Sequence, residues 1–510
     1  MTAQEASQPP RPWGVACLLI LVAVGQMSGR LMAVDAVDLG RLELHRIDKR
    51  LAELREELTA GGSSEEAIAE RIESRRAELE EKLKLGRPFL SSNDRSRWMA
   101  IRALVEHGTY AIDDVYGEPT WDSIDIVQHR DAGGDLRLYS SKPPLLITII
   151  AGEYWLLHQL TGWTLGTHPY TLGRVILMTT NVLPMAVMLL LVAAVADRLL
   201  RRLPGPTDTN WAWLFIVASG AFGTMLLPFA VALNNHVVAA VSASVVLYAW
   251  AQIALDGEAK PRWYALAGFA AAFTAANELP ALALLVFLGG LLFARNPRLT
   301  LAWFTPAAAV VVVAFFATNY AAHNTLSPPY AHRSEGDNWY EFTFEVNGRE
   351  RQSYWSQPSG IDRGEASKLT YALHVLAGHH GVFSMTPLWL LTAAGLTVSV
   401  ARGGRDEREL ALLVLALSVI CLTFYIGFRP QGDRNYGGMT NGFRWMFWFA
   451  PLWLATMAPA ARWCQRSMAG RVLAGLLLAA SAFSAAYPTW NPWTSPWVYR
   501  WMEAAGFELL

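Results

Sequence analysis

The chain has 510 residues, of which 53% are hydrophobic and 17% charged. Soluble chains of this size carry nearer a quarter charged residues, so the composition excludes an ordinary soluble globular protein. A formal net charge of -1 gives no electrostatic ground for binding nucleic acid.

The three cysteines, Cys17, Cys421 and Cys464, fall in or beside apolar segments. They imply neither a disulfide framework nor a thiolate metal site. The 21 Trp and 16 Tyr suit a chain with many membrane–water interfaces, where amphipathic rings gather.

A bilayer core takes about 20 apolar residues as helix. The first such segment is 13–34, preceded by a short tail, so 1–34 reads as a cytoplasmic tail and first span. Its core is as short as that of a signal peptide, but Gln26 and Arg30 follow it, and an uncleaved helix is expected.

Residues 35–142 form the largest extramembrane region. Leu44, Ile47, Leu51, Leu54 and Leu58 recur at alternating spacings of three and four, a heptad stripe. Ala60-Gly61-Gly62-Ser63-Ser64 breaks the pattern, Ser63 with Glu66 has the form of a capping box, and Ile68, Ile72, Leu79 and Leu83 resume the stripe. Residues 41–85 thus predict an antiparallel helical hairpin, a packing or spacer device. Next, Ser91 to Trp98 leads into a helical pattern of Ile101, Ala103, Leu104 and Val105, predicting a helix over 94–107.

The apolar stretch 144–160 contains Glu153 and His158, and 143–170 reads as a helix lying in or dipping into the outer interface. Membrane segments follow at 171–196, 211–232, 236–255, 263–277, 279–294 and 300–322, with 263–277 and 279–294 short enough to form a broken pair. Together they make a block of spans over 171–322. Residues 323–384 form a second outside loop. Within it, Tyr340 to Trp355 alternates polar and apolar around Asn347-Gly348, a β-hairpin signal. The last spans, 385–401, 409–428, 443–461 and 472–487, lie in a C-terminal part over 385–510.

Short-loop Lys and Arg set orientation. Arg11, the Arg198/Arg201/Arg202 group, Lys260 with Arg262, Arg295 with Arg298, the Arg402/Arg405/Arg408 group and the Arg462/Arg466/Arg471 group all fall on one face if 144–160 does not span. The expected fold is an all-α polytopic membrane protein of about eleven transmembrane helices. Its N-terminus is cytoplasmic, and its outside loops hold the helical hairpin and a small β-hairpin.

Lys142, Arg174 and Arg444 break that charge rule by lying at the outer ends of apolar segments. A single cation there is explained by snorkelling. Three converging cations suggest an anion, and a lipid phosphate is the natural one. Asp94 stands at the start of the predicted helix. A carboxylate there either caps the helix or takes a proton from an acceptor hydroxyl. Asn235 and His236 at one outer turn, Glu278 at another, and Tyr436 are candidate cavity-lining residues. The adjacent His379 and His380 point about 100° apart on a helix, and without a third ligand they support no metal.

One resemblance is carried by Asp94, the helix ending in Glu106-His107-Gly108-Thr109-Tyr110, and Ser141-Lys142-Pro143-Pro144-Leu145. These elements resemble the first outer loop of GT-C glycosyltransferases, and more narrowly the protein O-mannosyltransferase and aminoarabinose transferase group. Arg174 after Leu172-Gly173, the turn Gly437 to Arg444, and Gly381 to Leu388 are similar to further family elements. The resemblance covers about 88–460. Arg95 stands where many members carry a second acid, and 41–85 looks like an insertion.

The resemblance implies an enzyme that transfers a sugar from a polyprenyl-phosphate donor to an acceptor hydroxyl on a lipid, glycan or protein. Asp94 would be the base, and Lys142, Arg174 and Arg444 would hold the donor phosphate. Inversion would follow from a single displacement. No cofactor is fixed by it, and a divalent metal stays an open alternative that Arg95, in the place of the second acid, does not support. The expected location is a bacterial cytoplasmic membrane, with membrane lipids around the spans and the site facing the periplasm or exterior. The alternative is a transporter of a lipid-linked or anionic substrate. Against it, the sequence shows no inverted repeat, and its polar groups gather at one face.

Overall fold

The computed structural model describes residues 9–34, 39–82, 89–118, 120–205, 208–333, 338–488 and 491–507. Helix α1 is Trp13–Ala33, followed by α2 (Leu39–Ala60) and α3 (Glu65–Lys82). Helix α4 is Ser92–Glu106, and β1 (Ile126–Arg130) pairs antiparallel with β2 (Leu136–Ser140). Helix α5 is Pro144–Thr161. The helical core is α6 (Pro169–Arg202), α7 (Asn210–Phe222), α8 (Asn235–Ala254), α9 (Pro261–Asn277), α10 (Leu279–Arg295) and α11 (Pro297–His323). A hairpin of β3 (Thr343–Val346) and β4 (Arg349–Gln352) and helix α12 (Lys368–Leu376) follow. The chain closes with α13 (Trp389–Arg402), α14 (Arg405–Phe428), α15 (Ala450–Thr456), α16 (Ala458–Gln465), α17 (Met468–Ala486) and α18 (Trp497–Ala504).

Among the described residues, six helices (α1, α6, α8, α11, α14 and α17) are long and apolar enough to cross a membrane, and α7, α10 and α13 are shorter apolar helices. The two sheets have two strands each. The chain is an all-α polytopic membrane protein.

The basic loops interlock at one end of this bundle. Arg11 donates to Asp197 at 2.5 Å and to Asn210 at 3.0 Å, Arg198 pairs with Asp256 at 2.7 Å, and Arg295 pairs with Asp406 at 2.5 Å and Glu409 at 2.8 Å. Helices α8 and α9 run from this end to Asn235 and Asn277 at the other. Small residues let these helices approach closely. A Cβ on Gly268 of α9 would come within 2.2 Å of the Phe304 carbonyl oxygen, and one on Gly395 of α13 within 2.2 Å of that of Thr456.

Away from the basic end, local chemistry builds the remaining elements. Helices α2 and α3 pack through Ile47, Leu51, Ile72 and Leu79, a small core of their own. The expected stripe residue Leu83 lies outside the described residues. Gly62 takes a left-handed φ of 76°, and Ser63 N–H returns to the Leu58 carbonyl at 3.1 Å, which closes α2. The hydroxyl that receives an N–H of the first turn of α3 belongs to Ser64, from Ala67 at 3.4 Å, one residue past the expected Ser63. The β3–β4 turn is Asn347-Gly348 with φ of 52° and 70°, the turn that this dipeptide favours.

Helix α5 buries Leu146, Ile147, Ile150, Ala151 and Tyr154 and exposes Ile149, Trp155, Leu156 and Leu160. An exposed apolar face on an outer helix suits a lipid interface. Its Tyr154 hydroxyl donates to Glu106 of α4 at 2.6 Å and accepts the Leu165 N–H at 2.8 Å, which anchors α5 to α4.

Candidate functional site

At the end of the bundle opposite the basic loops lies a cavity of about 640 Å³. Its floor is built by stitching α4 to the strand ends. Ser96 Oγ donates to the Asp125 carbonyl at 2.6 Å and lies 2.7 Å from Ser140 Oγ, and Ser123 Oγ donates to the Ser92 carbonyl at 2.7 Å. The β1–β2 register sets Ile126 opposite Ser140, so Asp125 and Lys142, just beyond the ribbon, meet. Lys142 Nζ donates to Asp125 Oδ1 at 2.7 Å.

Both groups are largely buried. Burial draws Lys142 down to about 8. Burial pushes the Asp125 carboxyl up, but Lys142, Arg444 and Arg97 together outweigh it and hold it below the ordinary carboxylate range.

Arg97, from the first turns of α4, reaches across the cavity. It donates to the Asn93 carbonyl at 2.9 Å and to Asn235 Oδ1 at 2.7 Å. Burial first, then Arg444, lower its pKa to about 10, so it stays charged at neutral pH. Asn235 donates to Glu278 Oε1 at 2.8 Å. Glu278 also bonds His236 Nδ1, and Arg444 Nη1 donates to His236 Nε2 at 2.9 Å. A guanidinium only donates. Nε2 is therefore the acceptor, and Nδ1 carries the proton given to Glu278. The result is a fixed chain from Glu278 through His236 to Arg444.

The Gly-rich turn places Arg444. Tyr436, Gly437, Gly438 and Gly442 all have positive φ, at 59°, 94°, 83° and 98°. The reversal lets Arg444 Nε donate back to the Gly437 carbonyl at 2.7 Å, and its Cζ lies 5.0 Å from the Trp493 ring centroid. A Cβ on Gly437 would stand 3.0 Å from Arg444 Nε.

On the far wall, Asp362 accepts from Asn435 Nδ2 at 2.8 Å and from the Tyr354 hydroxyl at 3.1 Å. Burial raises its pKa. Arg333 and Arg429 flank Asp433, at 2.8 Å and 3.4 Å.

Of the residues singled out in the sequence, Lys142, Arg444, Asn235, His236 and Glu278 line this one cavity. Asp94, Arg174 and Tyr436 are not among its lining residues. Ser91 caps α4 by accepting the Asp94 N–H at 3.1 Å, which puts Asp94 in the first turn with its side chain turned toward the core. Asp94 Oδ1 accepts the Leu233 N–H at 2.9 Å and Trp98 Nε1–H at 2.8 Å. Asp94 is 1% exposed, and burial raises its pKa to about 7 against those two donors. Oδ1 thus ties α4 to the turn that delivers Asn235, while Oδ2 is buried with no hydrogen-bond partner among the described residues. Arg174 points along α1, donating to the Met32 carbonyl at 3.0 Å, with Cζ 5.7 Å from the Tyr170 ring centroid. Tyr436 is buried behind the Gly-rich turn, where its ring packs on Tyr371 and His380. His379 stacks on His374 at 3.9 Å.

Sequence reasoning missed Arg97, Asp125, Asp362, Arg333, Arg429 and Asp433. Arg97 carried a usable signal, since it is a further cation at the end opposite the basic loops. The others depend on register and loop folding, which no local spacing reveals.

No protein-family profile matches the chain, and no curated protein matches it in sequence. Among solved structures, two of the oligosaccharyltransferase of Archaeoglobus fulgidus are similar. The complex with zinc and sulfate is 15% identical with a TM-score of 0.40, over 82% of this chain and 51% of that one. The apo form is 12% identical with a TM-score of 0.38, over 82% and 54%. This chain spans about half the length of those proteins.

Proposed function

We propose that the protein is a membrane glycosyltransferase of the GT-C type. It takes a sugar from a polyprenyl-phosphate donor and passes it to an acceptor hydroxyl on the face opposite the basic loops, the periplasmic or outer face. One observation carries this reading: Lys142, Arg97 and Arg444 face a single cavity at that end, where the charge rule for cytoplasmic loops does not put cations.

In this reading Lys142 and the two guanidiniums hold the donor phosphate. As the anomeric C–O bond breaks, the leaving phosphate gains negative charge, and the preset cations stabilise it. The acceptor oxygen attacks the opposite face of the anomeric carbon, so configuration inverts. The hydroxyl proton passes to a carboxylate, and we assign it to Asp362. That group faces the cavity, accepts from the neutral donors Asn435 and Tyr354 and is made more basic by burial, as a general base requires. Asp125 holds Lys142 in position. Asp94 is given a tethering role.

The test is binding of undecaprenyl phosphate to the purified protein. Lys142→Gln with Arg444→Gln is expected to abolish saturable binding, while Arg174→Gln leaves it intact. Binding that ignores Lys142 and Arg444 contradicts the assignment. Transport of a lipid-linked anion across vesicles, without transfer, favours the transporter reading.

A further inference from the structure

The cavity holds a second cationic centre away from Lys142. Asp433, on the 3-10 turn Gln431–Asp433, sits between two guanidiniums. Arg333 Nη1 donates to its Oδ1 at 2.8 Å, and Arg429 lies 3.4 Å from its Oδ2. Each guanidinium is also laid on aromatic rings. Arg333 Cζ is 4.5 Å from the Trp355 ring centroid and 5.3 Å from that of Tyr340, and Arg429 Cζ is 4.5 Å from that of Trp445. All six of these side chains line the cavity.

Stacking fixes the planes of the guanidiniums and leaves their donor edges to face the cavity. Among the described residues, Asp433 is the one carboxylate in ion-pair contact with both guanidiniums. It cannot occupy their ten N–H bonds, and Arg429 Nε is buried with no hydrogen-bond acceptor among the described residues. Asp362, which also acts on Arg333 electrostatically, takes its hydrogen bonds from Asn435 and Tyr354.

We infer that Arg333 and Arg429 form an acceptor subsite for a molecule bearing an anionic group, a phosphate or a carboxylate, which presents its hydroxyl toward Asp362. This rests on the glycosyltransferase reading. Donor and acceptor would then use separate cationic centres of one cavity.

The test titrates the purified full-length protein in detergent with glucose 6-phosphate, glucuronate and glucose by calorimetry. At least one anionic probe is expected to bind about tenfold tighter than glucose or better, the scale of a charged hydrogen bond. A preference for the phosphate over the carboxylate identifies a phosphorylated acceptor, and the reverse an acidic sugar. Arg333→Gln with Arg429→Gln should erase the preference, and Lys142→Gln should leave it. Asp433→Asn, which keeps both cations, should strengthen it by several-fold and serves if the double variant fails to fold. Equal binding of all three probes overturns the inference. So does a preference lost with Lys142 but kept without Arg333 and Arg429, which returns the anion to the donor site. Neither result touches the undecaprenyl phosphate test, which decides the parent reading separately.

Discussion

Lys142 is the cavity cation whose charge changes nearest to neutral pH, because burial draws it to about 8. Protonated Lys142 is the form that holds a phosphate. Affinity for undecaprenyl phosphate should therefore fall as pH rises from 7 to 9, and Lys142→Arg should flatten that profile, since a guanidinium stays charged. Equilibrium binding across pH checks this. The carboxylates divide in the same way. Asp362→Asn should lower turnover about 100-fold or more, the usual worth of a general base. Asp94→Asn should leave it within a few-fold, because an amide oxygen still accepts the Leu233 and Trp98 donors. Turnover of both variants on one donor separates the two assignments. Residue identities alone did not decide this. The sequence pattern allowed Asp94 to be a cap or a base, and the structure gives the cap to Ser91. Chain position located Arg174 near the start of its apolar segment, but not on which side of its helix it points.

Long apolar runs and turns were the legible part of the elements, because they answer to local rules, but the helix of the expected span 211–232 ends at Phe222 and 443–461 divides into a 3-10 turn over Arg444–Phe449, α15 and α16. Apolar length marked the long helices, the heptad stripe marked α2 and α3, and Asn347-Gly348 marked the β3–β4 turn. The β1–β2 ribbon went unread. Its five-residue connection, Asp131 to Asp135, is held by side-chain and backbone bonds such as Gly133 N–H to Asp131 Oδ1 at 2.8 Å, and its strands are short. That omission hid Asp125, whose meeting with Lys142 depends on the ribbon's register. Two element-scale tests follow. Gly268→Ala forces a Cβ onto the backbone of α11 and should cost about 1–3 kcal/mol by overpacking, read as a lowered Tm. Replacing 41–85 by a short linker should leave binding of undecaprenyl phosphate unchanged, since α2 and α3 carry their own small core.

At the scale of the whole molecule, the claim is that one bundle keeps two chemically opposed ends. Carboxylates clamp the basic loops at one end, and a cationic cavity opens at the other. The Lys and Arg pattern along the chain made this polarity readable, while the identity of the cavity walls depended on loops that fold only around the finished bundle. The most direct measurement is a cryo-electron microscopy structure with undecaprenyl phosphate added. The account predicts headgroup density in contact with Lys142, Arg97 and Arg444, with its tail leaving toward the lipid. Headgroup density beside Arg174 on the outer surface, with the cavity vacant, would contradict it.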